Sequence, residues 1–459
     1  MNASQALRDL WQLAKLPEEA LGFADLTGAD PVLPSSFAVG TAAQATIAAA
    51  ALAACEVGHA RGTARQRVGV DMVHAALECV GPFTVNGVAP EVWDKFSGLY
   101  ACADGWVRVH ANFAHHREGA LRLLGLDPAA ATREEAERAM RHWRAIDFET
   151  AAAEAGLVAT ALRSFDQWDV TPQGRAIAAQ PLFKIERIGD APPLVLPPIT
   201  ENDPPLAGVR VLDLTRILAG PVGGRALAAY GADVMLVNSP RLPNIEAISD
   251  TSRGKLSTHI DLRTDAGREV LANLSAQAHV FVQGYRPGGL QALGFGPQAL
   301  ARQRPGIVYV SLSAYGTQGP WAARRGFDSL VQTATGCNHA EGDAAGEGKP
   351  RPMPMQILDH ATGYLIALGA SAALLRQQRE GGSWHVQVSL AQTGHWLRGL
   401  GRIENAFGVK KPDMKPYLEK SASGFGELVA MRHSAQLGRT PAKWRRPAVP
   451  PGTHAPEWP

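Results

Sequence analysis

Four cysteines in 459 residues, Cys55, Cys79, Cys102 and Cys337, lie far apart and form no CxxC pair. That spacing excludes a zinc knuckle and a disulfide scaffold, and reduced thiols in a cytoplasmic protein are the expectation. Aromatic residues are scarce at 7%, so no stacking platform is evident. Charge of one sign is missing too: 45 Lys and Arg stand against 43 Asp and Glu, for a net charge of +2. A nucleic-acid binder needs a basic face, and none is indicated. Charged residues are only 19% against 46% hydrophobic, which excludes an intrinsically disordered chain. The longest apolar run, AAQATIAAAALAAC at 42–55, falls short of the roughly 20 residues that span a bilayer. It fits a buried helix, and the opening MNASQALRDLWQLAKLPEEALG carries charges where a signal peptide is apolar. No membrane partner is expected.

Proline is plentiful but clustered. The stretch APPLVLPPITENDPP at 191–205 holds six prolines and reads as an interdomain linker. The tail at 439–459 is again proline-rich and is expected to be extended. Before the linker, 38–56 reads as an Ala-rich helix and 68–79 as strand or helix. YACADGWVRVH at 100–110 reads as a hairpin turning at Asp104-Gly105, and 134–155 is helical by composition. After the linker the pattern alternates. Strands are predicted at 209–214, 232–237, 279–285 and 307–312, with a short extended piece at 259–262. Helices are predicted at 222–230 and 264–276, the latter with Asp265 in its first turn, where the dipole favours it. The fold class is therefore α/β: an open parallel sheet with Rossmann-like βαβ units, a smaller α+β domain and long connecting helices.

The chain divides into a helical connecting segment (1–80), a small α+β domain with the linker (81–203), a Rossmann-like domain (204–350), and a final segment with a return helix and tail (351–459). A faint repeat links the first and last of these. An offset of 318 residues (386 − 68) places Val68-Gly-Val70 on Val386-Gln-Val388, and pairs Ala43, Ala49, Ala54 and Arg61 with Ala361, Ala367, Ala372 and Arg379.

The first strand after the linker runs into Thr215-Arg-Ile-Leu-Ala-Gly-Pro-Val-Gly-Gly224. A Gly-rich turn between strand and helix offers free N–H groups to an anion. It lacks GxGxxG, and the second strand ends in Asn238 rather than an acid that would hold a ribose, so NAD is disfavoured. The whole opening, LAGVRVLDLTRILAGPVGGRALAAYGADVMLV, resembles that of family III CoA-transferases, the CaiB/BaiF or formyl-CoA transferase type. Four further motifs follow in that family's order: Ser252-Arg-Gly-Lys-Leu-Ser-Thr-His-Ile-Asp-Leu262, Tyr285-Arg-Pro-Gly288, Ser313-Ala-Tyr-Gly-Thr-Gln-Gly-Pro320 and Gly326-Phe-Asp-Ser-Leu-Val-Gln332.

The resemblance implies an acyl-CoA:carboxylate CoA-transferase whose nucleophile is an aspartate at a helix start. The matching segment, Pro354-Met-Gln-Ile-Leu-Asp-His-Ala-Thr-Gly363, makes Asp359 the candidate. Taken alone, Asp359 reads as a helix N-cap before His360. The resemblance further implies Arg216, Arg286 and Arg325 as phosphate contacts, with Ala219 and Tyr285 along the adenine and pantetheine path. Lys255 could serve similarly, although loop lysines are often simply exposed. Coenzyme A and acyl-CoA enter as substrates with a carboxylic acid acceptor. No permanently bound cofactor and no metal are implied, and a homodimer is. Two departures bear on CoA affinity: Asn238 where the family often has Glu, and Gly284 where Asn usually precedes the Tyr285 loop. The related α-methylacyl-CoA racemases carry a base His where this chain has Phe327, and Phe cannot abstract a proton. A racemase-like isomerase and a catalytically silent CoA-binding subunit remain the alternatives. The Gly-rich stretch at 336–351 reads equally as a mobile lid or an ordinary flexible loop.

Overall fold

The computed structural model describes residues 1–459. Its N-terminal unit runs β1 (Ala24–Thr27), α1 (Val39–Ala60), β2 (Val68–Asp71) and α2 (Met72–Val80). β1 and β2 pair in parallel, and Ala435–Leu437 adds antiparallel to β2. Alanine adds little width to a helix, so α1 packs closely along α6 (Ile357–Glu380). Both helices are long and apolar enough to cross a membrane, but their apolar windows are 100% and 94% buried inside the protein. They are its core helices.

The main sheet contains β3 (Phe183–Gly189), β4 (Arg210–Leu214), β5 (Asp233–Asn238), β6 (Lys255–His259), β7 (Val280–Gln283), β8 (Val308–Ser313) and β9 (Ser383–Ser389). The order is β6-β5-β4-β7-β8-β9-β3, parallel throughout except for β3. β3, which the sequence assigns to the small-domain segment, therefore joins this sheet as an antiparallel edge. Its Lys184, Glu186 and Arg187 suit an edge that must not recruit another chain. The opposite edge, β6, starts at Lys255 rather than 259 as the sequence suggested. Lys, Ser and Thr interrupt its apolar pattern, and all three are buried. The proline-rich tail covers this edge: His454 N–H donates to the Ser257 carbonyl, and Ser257 N–H donates to His454 Nδ1 at 3.1 Å.

In the small domain, strands Gly98–Cys102 and Gly105–Val109 pair with Cys102 opposite Gly105, so the turn is Ala103-Asp104, one residue earlier than expected. The helical stretch splits into Arg133–Met140 and Ala145–Glu154, because the Asp104 carboxylate takes the Ala145 N–H at 2.8 Å and starts a new helix. The stretch at 336–351 is no flexible loop. It forms α5 (Cys337–Ala345), whose buried Glu341 accepts the Ser36 N–H at 3.0 Å. Its later glycines, Gly346 and Gly348, have positive φ and close the helix rather than loosen it.

Candidate active site

Two short helices converge on the start of α6. α3 (Ala219–Ala229) follows β4 through a sharp turn in which Ile217 has φ +78°. A β-branched residue there costs on the order of 1–3 kcal/mol. The turn is held by Asp213, which accepts the Thr215 N–H at 3.1 Å and the Lys255 ammonium at 2.8 Å. Lys255 and Asp213 are both fully buried, and Lys255 also donates to the Pro221 carbonyl. Lys255 is thus a bracket under the turn and cannot reach a ligand's phosphate. α3 and α6 cross where glycine faces glycine: a Cβ on Gly223 would stand 2.8 Å from the Gly363 carbonyl, and one on Gly363 2.6 Å from that of Ala219. Only bare backbone permits that approach.

The second helix is α4 (Asp328–Ala334). Asp328 caps α6 from outside: its carboxylate accepts the N–H of Asp359 at 2.9 Å and the Gln332 side-chain amide at 2.5 Å, and it faces the Leu358 N–H. Gln332 in turn takes the Met353 N–H and Asn338 amide, fixing the chain that leads into α6. The D-x-x-x-Q spacing of α4 was on view in the sequence, but the capping role, acting across 31 residues, was not.

Asp359 sits in the first turn of α6, 9% exposed, and its carboxylate faces the Ala219 N–H. Burial raises its pKa well above the ordinary carboxylate range, and the Asp328 charge adds to this, while the Ala219 N–H works to lower it. Asp328 is pushed up to about 7 by burial, partly offset by the N–H groups it accepts. Asp328 has the richer set of donors, so it is the better-stabilised anion of the pair, and the proton resides mainly on Asp359.

Two cavities meet here, and Phe113, Ile217 and Phe327 line both. The first, about 260 Å³, holds Asp359 and Asp328 among mainly apolar side chains from α2, the small domain and the α3 turn. The second, about 380 Å³, is lined by Arg216, Arg286, Arg324 and Arg325 and by no acidic residue. Tyr285 lines it as well, so four of the residues implied by the resemblance, Arg216, Tyr285, Arg286 and Arg325, share one groove. Arg216 donates to the Pro243 carbonyl at 2.7 Å and Arg325 to that of Gly156, also at 2.7 Å, while Arg286 is exposed. Ala219 departs from its expected place. It is 3% exposed and lines neither cavity, and its contribution is the N–H that faces the Asp359 carboxylate. Gly284 lines the groove, and a Cβ there would meet only ordinary contacts, so the missing Asn is not excluded by space. Phe327 stacks on His110 with ring centroids 3.9 Å apart. Burial lowers His110 to about 3 and His360 to about 4, so both are neutral. His110 comes from the small domain and carries no sequence signal for its position. Among these residues no group of three His, Cys, Asp or Glu could hold a metal ion.

The family model described as CoA-transferase family III matches residues 15–195 and 206–416. An acyl-CoA transferase of Gibberella moniliformis is 32% identical over 376 residues, 73% of this chain and 66% of that protein. The probable fatty acyl-CoA transferase Rv3272 of Mycobacterium tuberculosis is 35% identical over 240 residues, 49% of this chain and 57% of that one. A succinate–glutarate CoA-transferase of Agrobacterium fabrum is 30% identical over 265 residues, 51% of this chain and 65% of that one. Among solved structures, a CAIB/BAIF family protein from Brucella suis is 26% identical with a TM-score of 0.38, covering 49% of this chain and 65% of that one. The chain thus spans between 57% and 66% of the length of the curated relatives named. With the family model covering both sides of the proline-rich linker, the chain belongs to CoA-transferase family III.

Proposed function

We propose that this protein is an acyl-CoA:carboxylate CoA-transferase with Asp359 as nucleophile. The observation that carries the reading is a buried carboxylate in an apolar chamber that opens beside a four-arginine groove. The groove suits the phosphates of coenzyme A, because guanidinium groups match phosphate oxygens and no acid lines it, although Arg324 also lies 3.6 Å from the Glu149 carboxylate. The chamber suits an acyl group and keeps water from a reactive intermediate.

In this reading the ionised Asp359 oxygen attacks the thioester carbonyl. The C–S bond breaks, and coenzyme A leaves as a thiolate, giving a mixed anhydride. The thiolate then attacks the Asp359 carbonyl and releases the donor acid as its carboxylate, leaving an enzyme thioester. The acceptor carboxylate attacks that thioester and regenerates thiolate and anhydride. Attack of the thiolate on the acceptor's acyl carbon frees Asp359. No proton or water is consumed, and one thioester replaces another, so no ATP is required. The Ala219 N–H, which faces the Asp359 carboxyl, supports the tetrahedral oxyanion formed there. Asp359 holds its proton more tightly than an ordinary acid, so once ionised it is a poorly solvated, strong nucleophile.

The reading includes a cytoplasmic homodimer. The four cysteines are unpaired, in keeping with a reducing compartment, and the dimer rests on the resemblance. Light scattering on purified protein checks the dimer. The mechanism is tested by exchange of labelled acid into its own CoA thioester. Asp359→Ala should lower the rate on the order of a thousandfold or more while CoA still binds. Exchange that survives the substitution would assign the chemistry elsewhere, and no exchange in the unaltered protein would favour a silent CoA-binding subunit.

A further inference from the structure

The two cavities differ in charge as sharply as two adjoining spaces can. The groove has four arginines and no acid, whereas the chamber has Asp250, Asp328 and Asp359 and no lysine or arginine. Asp250 is already paired with Arg225 and Arg253, both buried behind the lining. The two histidines in the chamber wall, His110 and His360, are neutral. A second carboxylate on an acid bound at Asp359 would therefore lose its water and meet no cation, only apolar surface, other anions and uncharged polar groups such as Asn112, Thr251, Ser329 and Gln356.

The rim of the chamber carries the complementary feature. Val80, Val92 and Trp93, which all line it, are exposed by 37%, 52% and 40%. Apolar side chains left bare around one opening mark a surface that something apolar covers. Trp93 is held in place rather than loose. The Asn112 side chain donates to the Val92 carbonyl at 2.8 Å and accepts the Asp94 N–H at 3.1 Å, pinning the chain on both sides of it. The Trp93 ring meets His110 edge-on at 6.0 Å. It also screens a cation. The Arg108 guanidinium carbon lies 5.2 Å from the ring centroid, and Arg108 is 6% exposed and absent from the chamber lining. Its Nε has no hydrogen-bond partner.

We propose that the acid transferred at Asp359 is a compact, apolar monocarboxylic acid, branched or aromatic, and that Trp93 rejects dicarboxylic acids by covering Arg108. This rests on the transferase reading and narrows it. The size follows from the chamber: at about 260 Å³ it falls just below the roughly 300 to 1,000 Å³ of typical ligand pockets, which favours a compact acid.

The test is identity exchange, each labelled acid against its own CoA thioester, with isovalerate and benzoate compared with succinate and glutarate. The unaltered protein should favour the monocarboxylates in kcat/KM by at least about a hundredfold. Trp93→Ala should lower the isovalerate value about tenfold or more and raise the succinate value, through KM, by uncovering Arg108. Trp93→Ala combined with Arg108→Met should lose that gain, and Trp93→Phe should keep the original preference even if the alanine variant fails to fold. Exchange that is equal for both classes, or that favours succinate, overturns this inference and leaves the transferase reading standing. A succinate gain that persists without Arg108 overturns the role given to Trp93. Exchange with none of the acids, together with no covalent capture at Asp359, overturns both.

Discussion

Helices α1 and α6 begin 318 residues apart and are started by the same device. Asp30 accepts the N–H groups of Gly40 and Thr41 at 3.1 and 2.7 Å, while Asp328 accepts that of Asp359 and faces that of Leu358. At the same offset β2 falls on the end of β9, and the starts of α2 and α7 (Leu390–Gly399) coincide. The units then diverge in two respects. Thr41 stands where Asp359 would, and the chain from capping aspartate to that position is 11 residues in one and 31 in the other. The longer connection contains α5 and the segment whose Pro354, Met355 and Gln356 line the chamber. Thr41 is 3% exposed and lines neither cavity. A capped helix start is thus a structural device by itself. It becomes a site where a second carboxylate and an opening are added.

Four experiments press on this contrast. The largest difference should come from the equivalent positions themselves. Asp359→Ala abolishes exchange, whereas Thr41→Ala leaves kcat within about twofold, since it lies outside the chamber. Next, Lys255→Met strands the Asp213 carboxylate beneath the turn that serves α6, and urea denaturation should record a loss of about 3–5 kcal/mol. Replacing Asp213 with Leu in the same protein should recover much of it. A smaller loss, about 1–3 kcal/mol, is expected for Gly223→Ala, whose added Cβ must push α3 away from α6. That variant should also lose kcat, because the Ala219 N–H moves with the helix.

The smallest effects separate the two caps. Asp30→Asn should change only stability, by about 1 kcal/mol or less. Asp328→Asn should also move the pH profile. Asp359 must be ionised to attack, so the rate falls as pH drops through its raised pKa, and removing the Asp328 charge shifts that limb to lower pH. Stability carries the matching sign. The folded-state pKa of Asp328, about 7, lies above the roughly 3.9 of an unfolded aspartate, so its contribution is full below about 4 and is lost as pH rises through 7. Asp328→Asn should flatten that decline. A profile and stability curve unchanged by this substitution would mean that the pair is not coupled.

The parallel sheet was legible because β4, β5, β7 and β8 are short runs rich in Val, Leu and Phe that alternate with helical segments, as strands buried on both faces do. β6 was misplaced because Lys255, Ser257 and Thr258 look like loop residues until Asp213 is known to lie beneath them. α5 was hidden by its glycines, since the Ser36–Glu341 contact that anchors it joins residues 305 apart. For the site, Asp359 and the four groove residues were reached through motif resemblance. Asp328, His110, Trp93 and Arg108 were not, because each acts through a contact that only the folded chain creates. Ala219 was assigned by its side chain but contributes its backbone, which residue identity does not reveal.

Transfer through Asp359 requires a covalent bond to that one side chain, and capture of the bond is the most direct test. The protein is incubated with the CoA thioester of a branched or aromatic acid, quenched with hydroxylamine, digested and analysed by mass spectrometry. A hydroxamate is expected on the peptide spanning Pro354 to Gly363, located at Asp359 by fragmentation. A hydroxamate on any other residue, or none while exchange proceeds at full rate, would contradict transfer through Asp359.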